Sequence, residues 1–182
     1  MIRMPAKRPP VPLSRERILD AALRIADGQG LGRLTMRRLG DALEVEAMAI
    51  YHHFPNGKEQ LFDALTEYVT AIDVETPTDA PWRERIAAWC RASRAQLLDH
   101  PGVLSLVTTR PPRGAARQAL DRQLEILADA GLADPAQALY SLRSYLLGSV
   151  SVDLQDPERP RGDDAFERGL AAMLGGIAGG RG

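Results

Sequence analysis

The sequence predicts an all-α fold of about nine helices, and three observations carry that prediction. Strict apolar/polar alternation, the mark of a half-buried strand, is nearly absent. Apolar residues recur instead at three- and four-residue spacings, in segments dominated by Ala, Leu, Arg and Glu. Gly and Pro fall between those segments, where they end one helix and open the next. The 182 residues are 45% hydrophobic and 26% charged, a globular rather than a disordered balance. No apolar run reaches the roughly 18–20 residues that span a bilayer.

Residues 1–13 are basic (Arg3, Lys7, Arg8) and Pro-rich, without the apolar stretch of a secretory signal, and are expected to form a disordered basic arm. Residues 14–27 place Ile18, Ala22, Ile25 and Ala26 on one helical face, with Leu19 and Leu23 beside them. Ser14 suits the N-cap, and Gly28 and Gly30 stop the helix. Thr35 caps a short helix over 35–42 that carries Leu39, and a second short helix covers about 46–52. Pro55, Asn56 and Gly57 make a turn. A longer helix follows over 58–73, with Leu61, Phe62, Leu65 and Val69 inward. Two prolines within 76–81 set the boundary between a first unit, 14–75, and a second, 76–182. The second unit reads as helices at 82–100, 102–109, 115–130 and 136–154, a polar loop, and a last helix at 164–177.

Composition excludes several functions. One cysteine makes no internal disulfide, which fits a reducing compartment, and the three histidines lack zinc-finger spacing. Adjacent His52 and His53 point about 100° apart on a helix and do not chelate one ion. Cys90 reads as a core residue, with redox sensing as the alternative. No nucleophile–base constellation, phosphate loop or metal motif is present, so neither an enzyme nor a cofactor is expected. A cytoplasmic protein without a membrane partner is expected. The formal net charge is −1, but residues 1–58 hold ten Lys+Arg against six Asp+Glu, while 59–182 hold thirteen against eighteen. That split of +4 and −5 is modest enough to be chance, yet it fits an N-terminal end that meets a polyanion.

The motif that gives this end a function is the pair of short helices joined by a tight turn near 43–45 and braced by a preceding helix, the pattern of a helix-turn-helix. The second helix of such a unit enters a major groove about 12 Å wide. It therefore needs small or polar residues outward (Glu46, Ala47, Ala49, His52) and apolar ones inward (Val45, Ile50, Phe54). The stretches Leu34-Thr35-Met36-Arg37-Arg38-Leu39, Ala49-Ile50-Tyr51-His52-His53-Phe54 and Lys58-Glu59-Gln60-Leu61-Phe62-Asp63-Ala64-Leu65 resemble the DNA-binding domain of TetR-family transcriptional regulators. Leu97-Leu98 with His100, Thr109-Arg110-Pro111 and Ala138-Leu139-Tyr140 are similar to the ligand-binding domain of the tetracycline repressor branch. The resemblance covers about residues 14–175. Two departures stand out. Glu44 occupies a turn position that is usually Gly, and the Asn56-Gly57-Lys58 connector is one residue longer than usual, which shifts Lys58.

The resemblance implies a division of labour. Thr35, Arg37, Tyr51, His53 and Lys58 would contact the DNA backbone, with Thr35 also an N-cap and Arg37 within reach of base edges. Glu46, Ala47, Met48, Ala49 and His52 would face the bases. One helix-turn-helix makes few contacts, so a homodimer reading two half-sites of a palindromic operator is expected. Its interface is expected on the last two long helices, through Leu139, Leu142, Leu146 and Val150 and through Phe166, Leu170, Met173 and Leu174, with intramolecular core as the alternative. A small effector would bind between head and body. Trp89, Ser93 and Leu106 stand where the tetracycline repressors place drug- and magnesium-contacting residues, and the region of Val74 lacks a further contacting His. The metal-linked drug site therefore looks dismantled. A more apolar effector is expected, lined by Trp89, Ser93 and Leu106, with Arg110 or Gln123 at a polar end. The resulting expectation is a ligand-responsive regulator, most simply a repressor. The alternative is a helical interaction module with a degenerate DNA head, which Glu44 motivates.

Overall fold

The computed structural model describes residues 12–155 and 162–179. The proposed arm, up to residue 11, and residues 156–161 of the polar loop lie outside them. Nine α-helices follow one another: α1 Arg15–Gln29, α2 Met36–Leu43, α3 Ala47–His53, α4 Gly57–Thr70, α5 Trp82–Asp99, α6 Leu104–Thr109, α7 Gly114–Asp129, α8 Pro135–Gln155 and α9 Asp163–Gly179. The described residues contain no strand, and no helix among them is long and apolar enough to cross a membrane.

Local chemistry sets the helix ends. The Ser14 hydroxyl accepts from the Arg17 N–H at 3.2 Å, and the Thr35 hydroxyl from the Arg38 N–H at 3.1 Å, so α1 and α2 both open on a side-chain cap. α1 runs through Gly28 and stops at Gly30, whose φ of 84° suits glycine and whose N–H reaches the Ala26 carbonyl at 2.9 Å. Two 3-10 turns, Leu31–Arg33 and Pro101–Val103, were not expected; three-residue turns are too short to show a helical period. α4 ends at Thr70, three residues before the predicted 73, where Ala71 leaves the helical conformation (φ −78°, ψ 53°) and Ile72 packs instead against the second apolar cluster.

Two apolar clusters hold the chain together. The first gathers α1–α4 around Ile18, Leu34, Leu39, Ile50, Phe54, Leu61 and Leu65, and it extends into Leu97, Leu98, Val103, Leu106 and Val150. The second gathers Ile86, Trp89, Leu127, Leu139, Leu142, Phe166 and Leu170 from α5 and α7–α9. Packing therefore crosses the chain boundary at 76–81: the end of α5 and α6 are built into the base of the N-terminal unit.

That junction is tight at one point. The Asp27 carboxylate, at the end of α1, accepts from the Gly102 N–H at 2.8 Å and sits 2.9 Å from His100 Nδ1. Gly102 lies directly against the Ala26 carbonyl, where a Cβ would collide with backbone. A buried ion network ties the second unit. Arg94 on α5 reaches Asp153 near the end of α8, and Asp163 at the start of α9 at 2.6 Å, and its guanidinium lies 4.8 Å over the Phe166 ring.

Glu44 keeps the left-handed turn, with φ 56° and ψ 40°. Gly40 makes the close approach across it: a Cβ there would lie 2.8 Å from the Val45 carbonyl oxygen and 3.4 Å from the Ala47 amide nitrogen. A side chain in the left-handed region costs about 1–2 kcal/mol, which glycine avoids, while glycine loses about 0.5–1 kcal/mol more chain entropy. Glu44→Gly is therefore expected to raise stability by up to about 1 kcal/mol, measured as a higher urea midpoint with an unchanged slope. A lower midpoint would show that the Glu44 side chain has a stabilising role.

Candidate nucleic-acid interface and the cavity behind it

The helix-turn-helix is built on buried Leu39, Ile50 and Phe54, which fix α2 against α3 and leave the other side of α3 to solvent. Met48 is 68% exposed and Tyr51 37%, and Glu46 and His52 are also exposed. A methionine that open to water contributes little to the packing of the head. Ala47 and Ala49 are half-buried. Glu46 lies just outside α3, in the N-cap position, and makes no capping bond there.

The flanks of α3 are held in place. Arg15 donates to the His53 carbonyl at 3.3 Å and stacks 4.4 Å over the Phe54 ring, which caps α3 from α1. Gly57, at φ 62°, opens α4 in the left-handed conformation that favours glycine, and a Cβ there would press on the Tyr51 ring at 3.2 Å. The long connector thus seats Tyr51 on the start of α4. Lys58 follows, with its ammonium 5.0 Å from the Phe62 ring. Arg37 is exposed and makes no hydrogen bond or ion pair among the described residues, whereas Arg38 donates to Gln29 at 2.5 Å. Thr35 and Arg37 at the start of α2, Tyr51 on α3 and Lys58 at the start of α4 are hydrogen-bond donors of this part of the head.

Behind the head, α4, α5, α6, α7 and α8 enclose a cavity of about 40 Å³, walled by Val69, Trp89, Leu97, Val107, Leu120 and Leu146, with Ser93, Arg110 and Arg143 as polar groups. Arg110 joins this cavity to the head. Its guanidinium donates to Asp63 and Glu59 of α4 at 2.6 Å each, and lies 5.3 Å over Phe62. Those carboxylates hold the Arg110 pKa above the ordinary guanidinium value. Arg113 adds a 3.3 Å contact to Asp63.

Residues 18–65 match the family of bacterial regulatory proteins, tetR family, and residues 76–162 match the tetracyclin repressor-like C-terminal domain. The chain is 32% identical to the HTH-type transcriptional repressor DrrR1 of Streptomyces coeruleorubidus over 94% of its own length, and spans 67% of that relative. It is also 32% identical to the class C tetracycline repressor of Escherichia coli, covering 91% of this chain and 90% of that one. Among solved structures, Mycobacterium smegmatis BioQ superposes with a TM-score of 0.74 at 31% identity, over 92% of this chain and 98% of that one. The chain belongs to the TetR family. Members of that family are DNA-binding transcriptional regulators, not enzymes.

Within this TetR-family frame the expected residues fall into three groups. Thr35, Arg37, Glu46, Met48, Tyr51 and His52 are exposed on the face of α2 and α3, with His53, Ala47, Ala49 and Lys58 half-buried beside them. Of the expected effector residues, Trp89, Ser93 and Arg110 do line the cavity. Leu106 does not: it packs into the core under the head. Gln123 lies instead in a more polar cleft on the other side of Trp89, with Asp73, Arg85, Arg122 and Glu125, and its amide donates to the Ala119 carbonyl at 3.3 Å. Arg110 is already matched by two carboxylates, so it is a link to α4 before it is a ligand anchor.

The residues expected at a dimer interface need correction. Leu139, Leu142, Leu146, Val150, Phe166, Leu170 and Leu174 are buried within the single chain, and only Met173 is half-exposed. Their stripe is the inner face of the bundle. The outer faces of α8 and α9 carry Tyr140, Ser144, Gly148, Ser151 and Val152, and Ala171, Ala172, Gly175 and Gly176.

Arg15, Asp27, Arg94 and Arg143 are positions that sequence reasoning passed over. Cys90 is buried against the second core, and desolvation pushes its thiol up to about 12. It is expected to resist a maleimide in native protein at about pH 8 and to react once the chain is unfolded. Rapid native labelling would show that α5 opens far more readily than its packing allows.

Proposed function

We propose that the chain is a homodimeric repressor that holds a palindromic operator with two α3 helices and leaves it when a small, largely apolar effector enters the cavity behind each head. The observation that carries this reading is the outer face of α3. Met48, Tyr51 and His52 stand exposed on a helix whose inner face is locked, with Thr35, Arg37 and Lys58 at its margins. BioQ, solved with its double-stranded DNA operator at 30% identity and a TM-score of 0.70, supports the same use of this head. Glu44 keeps the left-handed turn, which supports a working head over the degenerate interaction module.

In this reading Thr35, Arg37, Tyr51, His53 and Lys58 grip phosphates, while Glu46, Ala47, Met48, Ala49 and His52 meet base edges. The Arg110 link to Glu59 and Asp63 passes cavity changes to α4, and α4 carries Lys58 and seats Tyr51. An effector that favours the DNA-incompetent arrangement shifts the population away from operator. The two protomers meet through the outer, small-residue faces of α8 and α9.

Gly148 offers a test that separates dimer from fold. A Cβ at Gly148 meets nothing within 4 Å, so Gly148→Arg is expected to leave the single chain folded. It is expected to halve the mass seen by light scattering and to lower operator affinity at least tenfold, because each head then binds one half-site alone. A dimer of undiminished affinity would place the interface elsewhere. Tyr51→Ala is expected to weaken operator binding about tenfold, while Tyr51→Phe, which keeps the contact with Gly57, separates the hydroxyl from the packing.

A further inference from the structure

One guanidinium in the cavity wall has no counter-charge. Arg143 on α8 is half-buried beside Leu120, Leu146 and Trp89, and no ion pair or hydrogen bond reaches it among the described residues. Asp121 shares the adjoining groove with Arg143 but is held by Arg117 at 2.8 Å. The other cation of the cavity, Arg110, is matched by Glu59 and Asp63. Burial with no answering acid pulls the Arg143 pKa below the ordinary guanidinium value.

Trp89, which stands between this cavity and the polar cleft that holds Gln123, carries a second unmet group. Trp89 is only 4% exposed, and its indole Nε1–H is buried without an acceptor. A buried donor without a partner and a half-buried cation without a counter-ion are each unfavourable. A single ligand that carries an anionic oxygen and a further acceptor on an apolar body satisfies both.

We propose that the effector is an aromatic acid, with its anionic oxygen paired to Arg143, its ring against Trp89, Leu120 and Leu146, and another oxygen accepting from Trp89 Nε1. This rests on the reading that the cavity admits an effector, and it makes Arg143, not Arg110, the charge anchor. The cavity volume of about 40 Å³ is a few water-sized spaces. A ring system therefore enters by parting the walls, and one of those walls, through Arg110, is tied to α4.

The test titrates 2-naphthoate and its neutral isostere 2-naphthamide into the full chain by calorimetry, in wild type, Arg143→Gln, Arg143→Lys and Trp89→Phe. Wild type is expected to prefer naphthoate by about tenfold or more, the usual worth of a hydrogen bond to a charged group. The preference is expected to vanish in Arg143→Gln, to survive in part in Arg143→Lys, and both probes are expected to bind more weakly to Trp89→Phe. Equal binding of the two probes, binding of neither, or a preference that outlasts Arg143→Gln would overturn the proposal. If Arg143→Gln fails to fold, the wild-type ratio and the Lys variant still decide. No DNA is present, so an inability to bind operator, which would sink the repressor reading, is scored separately.

Discussion

Arg94→Ala is expected to destabilise the chain by about 3–5 kcal/mol, the range for removing one partner of a buried ion pair. Arg94 is 6% exposed and serves Asp153 and Asp163 at once, with Phe166 under its guanidinium. Alanine would leave Asp153, itself largely buried, without its counter-ion. It would also release the end of α8 from the start of α9, which Arg94 clamps together. Arg94→Lys is expected to recover only part of the loss, because a single ammonium does not reproduce the planar fork or its stacking on a ring. Guanidinium denaturation checks both. A change within about 0.5 kcal/mol, as for an ordinary surface residue, would mean that the network adds nothing to the fold.

Gly102→Ala is expected to cost about 2–4 kcal/mol, from overpacking together with a lost hydrogen bond to a carboxylate. Its new Cβ would meet the Ala26 carbonyl carbon and oxygen, and backbone has no rotamer with which to yield. The end of α1 must then withdraw from the Pro101–Val103 turn, breaking the Asp27 bond to the Gly102 N–H and drawing Asp27 away from His100. Because this contact joins head to body, the head is expected to gain amide exchange in α1 before α8 and α9 do. Uniform exchange throughout would show that the junction is not a local weak point.

The helical order was legible because each amphipathic segment repeats its pattern over several turns. Ser14 and Thr35 announced their helices because a hydroxyl at the N-cap answers an otherwise unpaired N–H within three residues. The outer face of α3 was readable for the same local reason: Ile50 and Phe54 inward leave Met48, Tyr51 and His52 outward. Periodicity does not say, however, which partner an apolar face meets. Leu139, Leu142, Leu146 and Val150 form a genuine stripe, but it faces α5, α7 and the head of the same chain rather than a second copy. Leu106 failed similarly, since six residues of α6 present an inward side to the head's core as well as to the cavity.

The groups that were not legible depend on distance along the chain. Arg94 finds its acids 59 and 69 residues away, and Asp27 meets Gly102 75 residues on. Nothing local marks such residues as buried. Arg143 is harder still, because its significance lies in the partner it lacks, which only the packed helices reveal. Arg110 was recognised, but its carboxylates on α4 change its role from ligand anchor to link.

The central claim is that the outer face of α3 reads DNA sequence. Its most direct test is fluorescence anisotropy at physiological salt, with a labelled duplex enriched from random DNA by the protein itself and a scrambled duplex of equal length as competitor. The account predicts a palindromic selected site, bound about a thousandfold or more tighter than the scrambled duplex, with affinity falling steeply as salt rises. Equal affinity for the two duplexes, or enrichment of no common sequence, would contradict it.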